Sequence, residues 1–220
     1  MNLAEINNVS KTFPPVKAVR GVSFSLGEGE VMGLLGANGA GKTTLIRMIC
    51  SLIPPDSGTV WTAGRPGYMC QSFSLVEELS VHENIRYYGT LMGLSRNELA
   101  RREEEITERL NLVQYRGTPV RALSSGYRQG LSFSVAVIAD PKVLILDEPT
   151  SGLDAVARRK MWKMIHERAS MGTGIIVSTH YLDEAYYCSS LSLLREGQLI
   201  ARGTPKEVAP DEQSLLRYFR

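Results

Sequence analysis

The stretch Gly36-Ala37-Asn38-Gly39-Ala40-Gly41-Lys42-Thr43 constrains this chain more than any other feature in it. Its spacing is G-x-x-x-x-G-K-[ST]. It follows the nearly continuous apolar run Val31 to Leu35 and leads into Lys42 to Ile53, where apolar residues recur at helical spacing until Pro54-Pro55. Strand, glycine-rich loop and helix is the order that a phosphate cradle requires. Gly36, Gly39 and Gly41, with Asn38 among them, let the backbone fold so tightly that successive amide hydrogens converge on phosphate oxygens. The following helix N-terminus adds partial positive charge at the same place. Lys42 is then set to reach the β and γ phosphates of a nucleoside triphosphate. The Thr43 hydroxyl completes the coordination of Mg²⁺, with Thr44 next to it in the same turn.

A second element points to hydrolysis. Val143-Leu144-Ile145-Leu146 is apolar throughout and ends in Asp147-Glu148, two carboxylates at the C-terminal edge of a buried strand, where open α/β sheets gather their ligands. Taken alone, such an ending is equally well a surface turn. Behind a phosphate loop, Asp147 is suited to hold Mg²⁺ and Glu148 to take a proton from the attacking water or to orient it.

The rest of the pattern fills in an architecture. Strands are expected at Leu3 to Val9, Val22 to Leu26, Thr59 to Thr62, Ile175 to Ser178, Leu191 to Leu194 and Gln198 to Ala201. Ser80 and Ser95 each precede a glutamate by three residues (Glu83, Glu98), the reciprocal capping pattern of a helix start. The charged run Arg101 to Glu105 reads as a solvated face of the second of these helices. Strand-rich ends around a helical middle predict an α/β core, about 1–71 and 135–220, that carries a helical insert at about 72–134. At 220 residues the chain fits one such domain.

Composition removes several classes. With 25 basic and 23 acidic residues the charge is too balanced for a nucleic-acid footprint, so no nucleic-acid partner is expected. Cys50, Cys70 and Cys188 are widely spaced in apolar surroundings and form no CxxC pair, which predicts buried thiols in a reducing compartment. Met1 to Asn8 is polar, unlike a signal peptide. No apolar run approaches the roughly 20 residues that cross a bilayer, because even Val135 to Leu146 is cut by Asp140, Pro141 and Lys142. Any membrane role has to come through a partner.

Three further segments complete an ordered set: Leu123-Ser124-Ser125-Gly126-Tyr127-Arg128-Gln129, then Ser151-Gly152-Leu153-Asp154, then His180 behind the apolar strand Ile175 to Ser178. With these and with Gln71 after Gly67 to Cys70, the chain resembles the ABC ATPases over essentially its whole length. The plainer readings are Phe13 as a core side chain, Gln71 as an exposed loop amide, Ser124 as an ordinary helix cap and His180 as a satisfied core or cap histidine.

The resemblance implies a P-loop NTPase core with a parallel-rich sheet, an N-terminal antiparallel β subdomain and an inserted α-helical subdomain. It assigns Phe13 to adenine stacking, Gln71 to sensing Mg²⁺ and the attacking water, and His180 to the γ phosphate of its own site. Ser124 and Gly126 are assigned to the γ phosphate held by a second subunit, and Asp154 to communication across the resulting head-to-tail dimer. ATP and Mg²⁺ are the implied cofactors. The implied partners are a second ABC ATPase subunit, as homodimer or heterodimer, and transmembrane permease subunits. The implied place is the cytoplasmic side, peripheral on the inner face of the plasma membrane.

The signature departs from the family pattern at Ser125, Tyr127 and Gly130. Family members that maintain chromosomes carry long coiled coils between phosphate loop and acidic strand, whereas here 105 positions separate Lys42 from Asp147. Transport is therefore the leading class, with a regulatory or ribosome-associated switch as the alternative. A finer likeness runs through Gln71-Ser72-Phe73-Ser74-Leu75, Glu83-Asn84-Ile85 and Asp183-Glu184-Ala185 to the ATPases of bacterial drug, antibiotic and polysaccharide exporters and to the eukaryotic A-subfamily. After Pro205 a short tail is expected, in which Pro210-Asp211-Glu212 lead into a final helix ending at Arg220, without a regulatory extension.

Overall fold

The structure is a computed structural model that describes residues 1–71, 75–208 and 218. The tail helix expected after Pro210 and the segment 72–74 lie outside the described residues. In chain order the elements begin with β1 (Asn2–Phe13), β2 (Val16–Gly27), β3 (Val31–Leu35), α1 (Lys42–Ile49), β4 (Ser57–Thr62) and β5 (Gly67–Met69). They continue with α2 (Val81–Leu91), α3 (Arg96–Arg109), α4 (Ser125–Ala136), β6 (Val143–Asp147), α5 (Ala155–Ser170), β7 (Gly174–Thr179), β8 (Ser190–Arg195), β9 (Gln198–Gly203) and the short α6 (Pro205–Val208).

β3, β6 and β7 are buried at every position. Strands covered on both faces need such continuous apolar runs, and they stand at the centre of a six-stranded sheet ordered β5-β6-β7-β3-β8-β9. All neighbours in it are parallel except β9, which returns antiparallel on β8. A second sheet, ordered β2-β1-β4, is antiparallel. It packs its inner face, including Ile6, Val22 and Leu26, on Leu45, Ile46 and Ile49 of α1 and on Met32, Ile145 and Ile176 from the large sheet. The opposite face of the large sheet is covered by Met161, Trp162 and Ile165 of α5. A third cluster joins α2, α3 and α4 through Ile85, Ile106, Leu112, Leu131 and Val135.

Both predicted capping boxes are present. Ser80 and Ser95 each accept the N–H of the glutamate three residues on, whose carboxylate returns to the serine N–H. Three readings differ from the structure. Helix α1 stops at Ile49 rather than Ile53, because Ser51 takes a left-handed conformation (φ 57°) and Leu52 N–H folds back onto the Arg47 carbonyl at 2.8 Å. The first two strands run further than the apolar pattern indicates, since pairing continues through exposed polar positions to Phe13 opposite Val16. Helix α5 has no counterpart in the strand and helix pattern read above. Its signal was available: Asp154 caps it, and Met161, Trp162, Ile165 and Ala169 recur at helical spacing.

The buried-thiol expectation holds for Cys188 and is corrected for the other two, which are only half-buried. Burial, reinforced by a nearby carboxylate, pushes the thiols of Cys50 and Cys188 up to about 12.

Candidate functional site

Four adjacent parallel strands end at one place. β3 opens into Gly36, β6 terminates in Asp147, β7 ends at Thr179 just before His180, and β5 ends two residues before Gln71. The register Leu35 opposite Thr179 and Asp147 opposite Ser178 holds these ends level. Sheet pairing alone therefore gathers residues that lie more than 100 positions apart in the chain.

The glycines of the loop answer to specific neighbours. A Cβ on Gly36 would lie 2.3 Å from the Leu194 carbonyl oxygen, and Gly41 sits at φ 102° as the left-handed N-cap of α1. Lys42 is buried and donates from Nζ to the Gly36 carbonyl at 2.7 Å and to that of Ala37 at 3.2 Å. Its ammonium thus hangs over the loop, with burial lowering its pKa and the carboxylates of Glu148 and Asp147 opposing that shift.

The two carboxylates are held differently. Asp147, 2% exposed, accepts from the Ser178 hydroxyl and, at 3.3 Å, from the Thr43 hydroxyl. Glu148 takes a left-handed backbone (φ 52°), and its N–H donates to Ser178 Oγ at 3.0 Å. That turn brings its side chain onto Gln71, whose Nε2 donates to Oε2 at 3.0 Å, and within 3.2 Å of His180 Nδ1. Gln71, Glu148 and His180 therefore meet at one carboxylate oxygen. Asn38, Gly39, Lys42, Thr43, Gln71 and Glu148 line a cavity of about 560 Å³, to which Gly41, Thr44 and, from β2, Lys17 and Arg20 also contribute.

Burial raises the Asp147 pKa above the usual carboxylate range. The neighbouring Glu148 charge adds to this, and the Ser178 and Thr43 hydroxyls and Lys42 work against it. A carboxylate raised in the folded state contributes stability that is present at low pH and lost as pH rises through its folded pKa. In nucleotide-free protein, Asp147→Asn is therefore expected to melt above wild type at neutral pH. The gap should close as pH falls and the aspartate takes up its proton. Thermal scans across pH check this; a variant less stable than wild type at pH 7 goes against it.

Not every predicted residue joins this cluster. Phe13 is half exposed, ends β1 and has the Lys11 ammonium 5.7 Å from its ring centroid. It lies outside the cavity wall, although its strand partner Val16 is part of it. Ser124 and Gly126 stand at the start of α4 and line a separate cavity of about 540 Å³ between α4 and α5, together with Asp154. Among the described residues none lines both cavities. Ser124 is the N-cap of α4, yet its hydroxyl makes no capping bond, and the first turn of that helix holds no acidic side chain. Asp154 does cap: its carboxylate accepts from the N–H groups of Val156 at 2.9 Å and Ala157 at 2.8 Å. Sequence reasoning missed Ser178, whose hydroxyl touches both Asp147 and the Glu148 backbone. The signal for it was a hydroxyl closing an otherwise apolar strand two residues before His180.

The chain is similar to several known proteins. A family profile described as ABC transporter matches residues 19–151. The probable multidrug ABC transporter ATP-binding protein YbhF of Escherichia coli is 35% identical over 95% of this chain, which spans 39% of that relative's length. The Nod factor export ATP-binding protein I of Ralstonia nicotianae is 35% identical over 96% of the chain and 70% of its own length. Among solved structures, an ATP-binding subunit of an ABC transporter superposes with a TM-score of 0.88 at 27% identity, covering 98% of this chain and 99% of that one. An ATP-binding cassette of an ABC transporter in its ADP conformation gives 0.84 at 25% identity, covering 99% and 98%. The profile spans more than half of the sequence, the phosphate loop and the Asp147-Glu148 strand end lie within its bounds, and the chain belongs to the ABC transporter family of ATP-binding proteins.

Proposed function

We propose that this chain binds ATP with Mg²⁺ and hydrolyses it at an interface between two ATPase subunits, and that the cycle drives export of a solute through separate membrane-spanning permease subunits. The observation that carries the reading is the meeting of Gln71 and His180 on the Glu148 carboxylate, in a cavity that Lys42 and Thr43 also line, with Asp147 accepting from the Thr43 hydroxyl. The export direction is supported by the names of the relatives, which include multidrug, Nod factor export and linearmycin resistance proteins.

In this account the amides of Gly36 to Thr43 and the Lys42 ammonium bind the β and γ phosphates, while the aromatic face of Phe13 stacks on adenine. Thr43 and Asp147 offer one hydroxyl and one carboxylate, a sparse oxygen set that suits Mg²⁺ shared with phosphates. When bound, Mg²⁺ neutralises charge on the phosphate oxygens. Glu148 accepts the proton of the attacking water, and Gln71 orients that water from the other side. His180 contacts the γ phosphate of its own site. Ser124, with its hydroxyl uncommitted in α4, and Gly126, with its amide at the helix N-terminus, bind the γ phosphate of the second subunit, and Asp154 signals across the same interface.

We assign about 1–71 and 135–220 to the catalytic lobe and about 72–134 to the helical lobe that meets the permease. Among the described residues no helix is long and apolar enough to cross a membrane. The chain then works as a peripheral subunit on the inner face of the membrane. Affinity purification of the intact chain from detergent-solubilised membranes tests the partner. An integral membrane protein retained at stoichiometric level is expected, whereas recovery with ribosomes alone supports the regulatory switch and removes the transport reading.

A further inference from the structure

Glu184 is fully buried, and the hydrolytic geometry described above makes no use of it. Its Oε2 accepts from the Thr150 hydroxyl at 3.0 Å and from the Thr179 hydroxyl at 2.6 Å. Thr150 stands two residues after Glu148, and Thr179 immediately precedes His180; the Thr179 hydroxyl also accepts the Tyr181 N–H at 3.0 Å. One carboxylate oxygen therefore ties together the two loops that carry Glu148 and His180.

The other oxygen faces Arg158, one turn into α5, whose N–H bonds the Asp154 carbonyl at 2.9 Å. Arg158 Nε lies 3.7 Å from Glu184 Oε1, and both atoms are buried with no hydrogen-bond partner among the described residues. An ion pair this loose between two desolvated atoms gains by closing a few tenths of an ångström, which a small shift of α5 can supply. The Arg158 guanidinium also stacks on the Tyr181 ring at 4.3 Å from its centroid and reaches Asp183 at 3.5 Å. Tyr181 in turn lies against the His180 ring, with centroids 4.3 Å apart and planes 34° to one another.

We infer that Glu184, Arg158 and Tyr181 are positioning residues that hold His180 against Glu148, and that Arg158 carries movement of the Asp154 loop and α5 to His180. The catalytic half of this inference rests on the hydrolytic reading given above. The mechanical half, that Arg158 sets the environment of the His180 ring, does not.

Two measurements on the intact chain test it. The first is the ¹H–¹³C NMR spectrum of the histidine rings, in which His180 is identified by the signal lost in His180→Ala. In Arg158→Met and in Tyr181→Ala that signal moves, while Tyr181→Phe, which keeps the ring, leaves it close to wild type. A His180 signal unmoved in Arg158→Met overturns the inference whether or not the protein hydrolyses ATP.

The second is steady-state ATP hydrolysis. Arg158→Met and Tyr181→Ala lower kcat about tenfold with KM within about twofold, and Tyr181→Phe restores kcat. In a His180→Ala background the same substitutions add less than about twofold, because they act through that residue. Losses that multiply fully in the double variants mark a general structural role and also overturn the inference. If wild type hydrolyses no ATP while the NMR shifts appear, the function proposed above fails and the Arg158 linkage stands.

Discussion

Glu148→Gln should lower ATP turnover by about 10² to 10⁴-fold, the range for removal of a general base, while ATP binding persists. The substitution preserves shape, so the contact with Gln71 Nε2 can pass to the new amide oxygen, and the amide fits between Gln71 and His180 as the carboxylate does. It removes the acceptor for the water proton and one negative charge beside the phosphates. Binding should therefore hold or tighten, and the ATP-bound dimer should accumulate, visible as an ATP-dependent doubling of mass in sedimentation. Lys42→Ala makes the contrast, since it deletes the cation that hangs over the loop and should lose affinity first. Turnover in Glu148→Gln equal to wild type would remove Glu148 from the base role.

Gly41→Ala should destabilise the folded protein by about 3 kcal/mol or more, through two costs at one atom. The backbone stands at φ 102°, where a side chain is strained, and the added Cβ would lie 2.3 Å from the Ala18 carbonyl oxygen. That oxygen belongs to β2, so relief requires moving a sheet edge rather than rotating a side chain. For a chain of this size the melting temperature should drop by roughly 10 °C, with nucleotide affinity falling in parallel because Lys42 is the next residue. Gly39→Ala is the internal control. Its φ of 82° carries the conformational cost, but nothing lies within 4 Å of the added atom, so a loss of about 1 kcal/mol is expected. Equal melting temperatures for the two variants in nucleotide-free protein would contradict the contact argument.

The features legible in the sequence are those written in short windows. Gly36 to Thr43, Asp147-Glu148 and the serine caps each have local spacing that dictates local geometry, and a strand on either side is enough to place them. The long apolar runs of β3, β6 and β7 similarly announced a sheet covered on both faces. What was not legible depends on backbone detail or on pairs distant in the chain. The left-handed turn at Glu148, which aims it at Gln71 and His180, has no residue signature, because glutamate rarely adopts it. The Arg158, Tyr181 and Glu184 cluster joins α5 to the loop after β7, and periodicity says nothing of such a meeting. The halves of the thiol expectation diverged for a similar reason: Cys188 sits under the sheet, whereas Cys50 and Cys70 lie at element ends where burial is decided by neighbours far along the chain.

The separation of Ser124, Gly126 and Asp154 from the phosphate-loop cavity has direct mechanistic weight. In the function proposed above the two surfaces belong to a site that a second subunit completes, and the unusual Tyr127 lies in the second of them, its ring 6.0 Å from that of Tyr115.

The most direct measurement is the rate of Mg²⁺-dependent phosphate release from ATP by the intact chain, free and reconstituted in lipid vesicles with whatever integral membrane protein the affinity purification retains. The account predicts turnover that requires Glu148 and changes when the membrane protein is present. Turnover identical in both settings, or undiminished in Glu148→Gln, would contradict it.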